Sequence, residues 1–168
     1  MEIPLGHGQA MWTPKLEARV IQELAIHPTD RVLEIGTGSG YLTALLASRA
    51  AEVVSVDIVP ELTAAATQKL RAHGFSNIRL HTGDAARDWP DEAGFDVIVL
   101  TGSTALLSDA FRRRLRVGGR LFAIVGEAPV MQAQLITCTA PGAFRSVTLF
   151  ETCVAPLQNS PQPAAFVF

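Results

Sequence analysis

The chain has 168 residues, of which 48% are hydrophobic and 18% are charged, and this favours one domain with a sizeable buried core. A formal net charge of −2 gives no general basic field, which argues against charge-driven binding of nucleic acid. No apolar run has transmembrane length and the first residues do not resemble a signal peptide, so we expect no membrane association and a cytoplasmic location.

Helical and strand patterns alternate along most of the chain. Residues 1–12 have no periodicity, and Gly6–Gln9 is predicted to be a loop. Thr13 and Pro14 are typical of the N-cap and first residue of a helix. The predicted helices start at Pro14, span Leu42–Ala50, run from Pro60 to about Gly74, and span Ala105–Arg116. The predicted strands are Arg31–Ile35, Val53–Asp57, Ile78–His81, Phe95–Thr101, Arg120–Val125, Gln132–Thr139 and Arg145–Val154.

This order predicts an α/β fold with a doubly wound, mainly parallel sheet and right-handed crossovers. Only a turn at Pro141–Gly142 separates the last two strands, so we expect them to pair as an antiparallel C-terminal hairpin. We assign residues 1–157 to a single domain and residues 158–168 to an extended tail.

A glycine-rich turn follows the first predicted strand. Gly36, Gly38 and Gly40 have the spacing G-x-G-x-G, and Tyr41 occupies the position of the third glycine of a dinucleotide-binding fingerprint. Glu34 lies two residues before the first glycine, where a carboxylate suits a cationic ligand better than a pyrophosphate. S-adenosylmethionine, which carries a sulfonium and an ammonium group, matches this charge.

Further polar residues follow the ends of other predicted strands. Asp57 lies about 20 residues after the first glycine, a distance typical of an acid that binds ribose hydroxyls. Asp84 and Thr101 also follow strands. Ligands of parallel α/β sheets bind outside the carboxyl ends of the strands, so we expect these side chains and Glu34 to surround one cofactor site.

Three segments carry a resemblance to a known family. Arg31–Tyr41, the turn at Gly83–Asp84 and Val117–Leu121 resemble the protein-L-isoaspartate O-methyltransferase family, a class I S-adenosylmethionine-dependent methyltransferase family. The resemblance extends from about Gly6 to Leu157. It implies a Rossmann-like methyltransferase fold with a seven-stranded sheet, S-adenosylmethionine as cofactor, and methyl transfer to a carboxylate of a protein or peptide acceptor.

The resemblance also implies residue roles. Glu34 and the Gly36–Gly40 turn would hold the methionine part of the cofactor, and Asp57 would bind the ribose hydroxyls. Ile58, Asp84 and Ala85 would contact the adenine. The complete set of predicted cofactor-binding residues is Glu34, Gly36, Thr37, Gly38, Gly40, Asp57, Ile58, Asp84, Ala85 and Thr101. No catalytic residue is assigned, and the histidines lack the spacing of a metal site.

The chain departs from the family pattern next to Gly8–Gln9. Members have a Thr-Ile-Ser triplet there whose serine belongs to the active site, whereas this chain has Ala10-Met11-Trp12. Members also have a longer helical segment before this point, so we expect a segment that covers the substrate to be missing.

One predicted helix carries four arginines, Arg112, Arg113, Arg114 and Arg116. They are interpreted as a solvated face, not as a nucleic-acid site.

Three alternatives remain open. The stretch Leu100–Thr104 is similar to the precorrin methyltransferases of cobalamin synthesis. The replaced serine and the apolar end Phe166–Phe168 fit a non-catalytic module that binds the cofactor and a protein partner. A nicotinamide-dependent oxidoreductase is disfavoured by the glycine spacing.

Overall fold

The computed structural model describes residues 3–91 and 93–165, which form one seven-stranded sheet, one two-stranded sheet and four α-helices. The strands are β1 (Ile3–Gly6), β2 (Gln9–Met11), β3 (Arg31–Ile35), β4 (Glu52–Asp57), β5 (Ile78–Thr82), β6 (Phe95–Thr104), β7 (Leu115–Glu127), β8 (Val130–Ala140) and β9 (Ala143–Thr152). The helices are α1 (Pro14–Leu24), α2 (Tyr41–Ala47), α3 (Pro60–Ala72) and α4 (Asp109–Arg114). None of these helices is long and apolar enough to cross a membrane.

The large sheet has the strand order β5-β4-β3-β6-β7-β8-β9. Strands β3 to β7 pair in parallel, and β8 pairs antiparallel with both β7 and β9. The mainly parallel seven-stranded sheet and the antiparallel hairpin at its end are therefore confirmed. The order reverses between β3 and β6, so the carboxyl ends of β3, β4 and β6 meet at a topological switch point.

The core consists of two apolar clusters on opposite faces of the sheet. Val32 and Val53 belong to one cluster, whereas their neighbours Leu33 and Val54 belong to the other, as the two-residue period of a strand requires. All four side chains are nearly or completely buried. Burial on both faces explains why these strands are continuous apolar runs without a polar alternation.

The structure shifts several sequence-based boundaries: α2 ends at Ala47 and not at Ala50, β6 continues to Thr104, and β7 already begins at Leu115. Two further regions differ in kind. The predicted loop at Gly6–Gln9 is the turn of a small hairpin, because β1 and β2 pair antiparallel on either side of it. The predicted helix Ala105–Arg116 is confined to the six residues of α4. Its start is set by the Ser108 side chain, which caps the backbone N–H of Ala110, and its end by the extended backbone of Leu115.

Tertiary contacts explain why the segment before α4 is not helical. The backbone N–H of Leu106 in this segment donates to the Pro161 carbonyl at 3.3 Å, so it does not take part in a helical turn. Just before it, Ser103 of β6 accepts from the N–H of Leu157 and donates to the Ala155 carbonyl, so the chain beyond β9 pairs with the end of β6. Arg116 lies in β7, where it donates to Asp96, and three of the four arginines of this region pair with aspartates.

The described part of the predicted tail includes Asn159 with a φ of 61°. The predicted division at residue 157 stays a prediction, and Phe166–Phe168 lies outside the described residues.

A buried arginine ties α1 to the sheet. Arg120 of β7 donates to the backbone carbonyls of Leu24 and Ala25, at the end of α1, with distances of 2.9 Å to both. It also donates to the Asp30 carboxylate at 2.8 Å, immediately before β3. The side chains of Arg120 and Asp30 are only 15% and 9% exposed. The same cation therefore fixes the helix end and the entry to the central strand.

We predict that Arg120→Ala lowers the free energy of unfolding by about 3 kcal/mol, because it leaves the Asp30 carboxylate buried without its cation. Urea unfolding followed by circular dichroism measures this value. The matched control is Arg112→Ala, which removes an exposed pair with Asp109 and should cost less than about 1 kcal/mol. Equal losses in the two variants would contradict the proposed role of Arg120.

Candidate functional site

Two adjoining cavities open at the carboxyl ends of β3, β4 and β6. The first cavity is lined by Leu5, Gln9, Ala10, Met11, Trp12, Glu17, Glu34, Gly36, Thr37, Gly38, Ser39, Leu42, Asp57, Thr101 and Leu157. The second cavity is lined by Gln9, Ile35, Gly36, Val56, Asp57, Ile58, Gly83, Asp84, Ala85, Ala86, Leu157 and Gln158. Gly36, Asp57 and Leu157 line both, so the two cavities form a continuous site around the end of β3.

The structure brings together nine of the ten residues that the sequence predicts to bind a cofactor. Glu34, Thr37, Gly38 and Thr101 line the first cavity, and Ile58, Asp84 and Ala85 line the second, with Gly36 and Asp57 common to both. Gly40 lines neither cavity. Its φ is 82°, and a Cβ at this position would approach the Ala66 Cβ to 3.2 Å. Packing of the α2 N-terminus against α3 therefore explains why this position is a glycine.

The turn after β3 is fixed by a side chain of β6. The Thr101 hydroxyl lies 2.9 Å from the Ile35 carbonyl oxygen and 2.7 Å from that of Gly36. Gly36 has a φ of 99°, and a Cβ there would lie only 2.1 Å from the Thr101 Oγ1. A side chain at Gly36 is therefore excluded both by the backbone conformation and by Thr101.

Asp57 fixes the other side of this turn. Its carboxylate accepts hydrogen bonds from the backbone N–H of Gly38 at 2.8 Å and of Val59 at 2.9 Å. A carboxylate has about four lone-pair positions, so Asp57 can still accept hydrogen bonds from a ligand in either cavity. The same aspartate thus shapes the turn and presents an acceptor between the two cavities.

Glu34 is completely buried at the base of the first cavity. Its Oε2 accepts hydrogen bonds from the hydroxyls of Thr43 and Ser55. The Thr37 hydroxyl oxygen lies 2.6 Å from that of Ser55. Its Oε1 has no hydrogen-bond partner among the described residues. Desolvation raises the pKa of this carboxyl from 4.5 to about 8, because the two hydroxyls offset only part of the cost of burying its charge.

A second buried carboxyl belongs to Glu17, which the sequence prediction did not include. Glu17 lies on the buried face of α1 with Val20 and Leu24, at spacings of three and seven residues. It lines the first cavity, is 4% exposed, and its Oε2 has no hydrogen-bond partner among the described residues. Desolvation raises its pKa from 4.5 to about 7. The helical spacing alone would have revealed an acid on an otherwise apolar face.

The second cavity is bordered by the chain that follows β9. Leu157 and Gln158 line it, and the Asn159 amide donates to the Asp84 carboxylate at 2.9 Å. A Cβ at Gly102 would approach the Leu157 side chain to 3.0 Å, which shows how closely this segment packs on β6. Residues beyond β9 therefore form part of the site wall.

The segment Ala10-Met11-Trp12 lines the first cavity. Trp12 is 7% exposed, and its ring packs edge-to-face on Phe122 with centroids 6.2 Å apart. The next residue, Thr13, caps α1 as expected, because its side chain accepts from the backbone N–H of Leu16 at 3.4 Å. This segment contributes no hydroxyl to the cavity.

The described residues that line the two cavities include no lysine, arginine or histidine. Glu34 and Glu17, each with one carboxyl oxygen that has no partner among the described residues, therefore line a cavity without a protein cation. S-adenosylmethionine carries two cationic groups together with ribose and adenine, so these residues fit that cofactor.

Comparisons with known proteins point to one family. The family model described as "Protein-L-isoaspartate(D-aspartate) O-methyltransferase (PCMT)" matches residues 1–160. A protein-L-isoaspartate O-methyltransferase of Gloeobacter violaceus is 37% identical over 161 residues, which cover 95% of this chain and 78% of that protein. Protein-L-isoaspartate O-methyltransferase 1 of an Anaeromyxobacter species is 44% identical over 131 residues, which cover 77% of this chain and 62% of that protein.

A solved structure from Plasmodium falciparum shows the same fold. It has a TM-score of 0.82 at 19% identity and covers 95% of this chain and 80% of its own. That protein is described as a protein-L-isoaspartate O-methyltransferase in complex with S-adenosyl-L-homocysteine. Together with the match of the family model over nearly the whole chain, these findings show that the chain belongs to the protein-L-isoaspartate O-methyltransferase family of enzymes, whose cofactor is S-adenosylmethionine.

Proposed function

We propose that this protein transfers a methyl group from S-adenosylmethionine to a carboxylate of a protein or peptide, with an isoaspartyl residue as the first acceptor to test. The observation that supports this most directly is the pair of cavities around Gly36 and Asp57, with the buried Glu34 carboxyl at their base. The names of the relatives support the isoaspartyl acceptor. A cytoplasmic location and the absence of a nucleic-acid partner belong to the same proposal.

Each part of the site has a role in holding the cofactor. Glu34 and the turn at Gly36–Gly38 would hold the methionine part, and Asp57 would accept hydrogen bonds from the ribose hydroxyls. Ile58, Asp84 and Ala85 would contact the adenine. The cofactor supplies a methyl group on a positively charged sulfur, which needs a correctly placed nucleophile.

The chemistry does not require a base from the protein. A carboxylate acceptor is already ionised at neutral pH, so no proton has to be removed before methyl transfer. Alignment of the acceptor with the methyl carbon supplies most of the acceleration in such a reaction. The segment Ala10–Trp12 lines the first cavity without a side-chain hydroxyl, so under this proposal the acceptor is positioned without a hydroxyl from this segment.

We predict that the protein binds S-adenosylmethionine and S-adenosylhomocysteine with micromolar affinity in calorimetric titrations, and that Asp57→Ala abolishes this binding. Asp57→Ala removes both the ribose acceptor and the hydrogen bond that fixes Gly38. The control is Asp109→Ala, which changes an exposed acid on α4 and should bind as the unmodified protein does.

The acceptor is tested by transfer of a labelled methyl group to a synthetic peptide that contains isoaspartate. The matched control peptide contains ordinary aspartate at the same position. Methylation of the isoaspartyl peptide alone is expected. Binding of the cofactor without methylation of either peptide would overturn the proposed acceptor, whereas a folded protein that binds neither cofactor form would overturn the methyltransferase site itself.

We also predict that the ligand-free protein loses stability as the pH rises from about 5 to 8. Glu34 has a pKa of about 8 when folded against 4.5 in the reference state, so the folded state holds its proton more tightly. That contribution is fully present below the reference pKa and is lost as the pH rises through the folded pKa. Glu34→Gln resembles the protonated acid and should flatten this dependence in urea unfolding across the same range. An unchanged pH dependence in Glu34→Gln would contradict the burial of an ionisable carboxyl there.

A further inference from the structure

The first cavity is lined by two buried carboxyl groups, although a single carboxylate is enough to bind one cationic group. Glu34 and Glu17 are 0% and 4% exposed, come from β3 and α1, and each has one oxygen without a partner among the described residues. A buried polar atom without a hydrogen bond costs free energy, and an unpaired buried charge costs more. Because both residues line the first cavity, a cationic ligand group bound there would give both atoms a partner.

The charged groups around Glu17 do not neutralise it. Asp57 is the third acid of the cavity, and its oxygens accept from backbone N–H groups. On α1, Arg19 pairs with Glu23. Arg49, beyond the α2 helix, donates to the Leu45 carbonyl, and Arg120 of β7 pairs with Asp30 at the far end of α1. None of the described cations lines the cavity.

We propose that Glu17 is a specificity-determining residue of the cofactor site, and that Glu17 and Glu34 together bind the ammonium group of the methionine part. This inference rests on the proposed function, because it concerns the same cofactor. An ammonium group has three N–H donors and one positive charge, so it can donate to both unpartnered oxygens and to a third acceptor. In the described part of the chain, no arginine or lysine side chain lines this cavity in place of the ligand.

The arrangement couples cofactor binding to proton release. In the ligand-free site, desolvation holds the pKa of Glu17 at about 7 and that of Glu34 at about 8, and each negative charge disfavours the other. The pair therefore retains at least one proton at neutral pH. A bound ammonium group stabilises both carboxylates, so the retained protons leave as the ligand binds. Affinity for a ligand with this group accordingly rises with pH between 6 and 8.

The test compares two ligands and three forms of the protein by calorimetric titration. S-adenosylhomocysteine carries the ammonium group, whereas 5′-methylthioadenosine keeps the adenosine and lacks the amino-acid part. The three forms are the unmodified protein, Glu17→Gln, and the control Glu23→Gln, which changes a more exposed acid on the same helix. Titration in buffers of different ionisation enthalpy gives the number of protons released.

We expect Glu17→Gln to weaken the binding of S-adenosylhomocysteine about tenfold or more at pH 8, because it removes a charge-assisted hydrogen bond. It should release fewer protons on binding and leave the affinity for 5′-methylthioadenosine unchanged, which also verifies that the variant is folded. Glu23→Gln should match the unmodified protein with both ligands.

Two results would overturn the inference while the proposed function stands. One is unchanged affinity and unchanged proton release for S-adenosylhomocysteine in Glu17→Gln. The other is an equal loss of affinity for both ligands in Glu17→Gln, which would assign Glu17 a general structural role. Failure of the unmodified, folded protein to bind either ligand would instead overturn the proposed function, so the two failures are distinguishable.

Discussion

The site depends on a turn that is held from both sides by side chains of neighbouring strands. Thr101 of β6 lies against the carbonyls of Ile35 and Gly36, and Asp57 of β4 accepts from the N–H of Gly38. Both contacts require that β4 and β6 flank β3 in parallel, so that their carboxyl ends lie beside the same turn. The topology of the sheet thus sets the conformation of the loop at the centre of the proposed cofactor site.

The sequence predicted this part of the molecule well for a physical reason. Buried parallel strands are continuous apolar runs, and the polar residue that ends each run lies at the ligand-binding edge. Glu34, Asp57 and Thr101 could therefore be assigned to one site before any contact was known. Gly40 was grouped with them by its spacing, although its conformation and its approach to Ala66 serve the packing of α2 on α3.

What the sequence did not predict depends on contacts between distant segments. The helical spacing marks Glu17 as an acid on the apolar face of α1, but only the folded structure shows that it lines the same cavity as Glu34. Ser55 and Thr43 are small residues in apolar elements, and only the folded structure shows that both donate to Glu34. The region before α4 has a helical pattern, but the backbone N–H of Leu106 donates to the Pro161 carbonyl, more than fifty positions later.

The charge of the first cavity also constrains the order in which its ligands bind. Glu17, Glu34 and Asp57 place three acidic side chains around the cavity, and none of the described lining residues is a cation. A carboxylate acceptor is repelled by such a site, because like charges in a poorly solvated cavity interact strongly. The cofactor brings an ammonium and a sulfonium charge, which offset two of the three acids. Under the proposed function, an acceptor carboxylate is therefore compatible with this cavity only after the cofactor is bound.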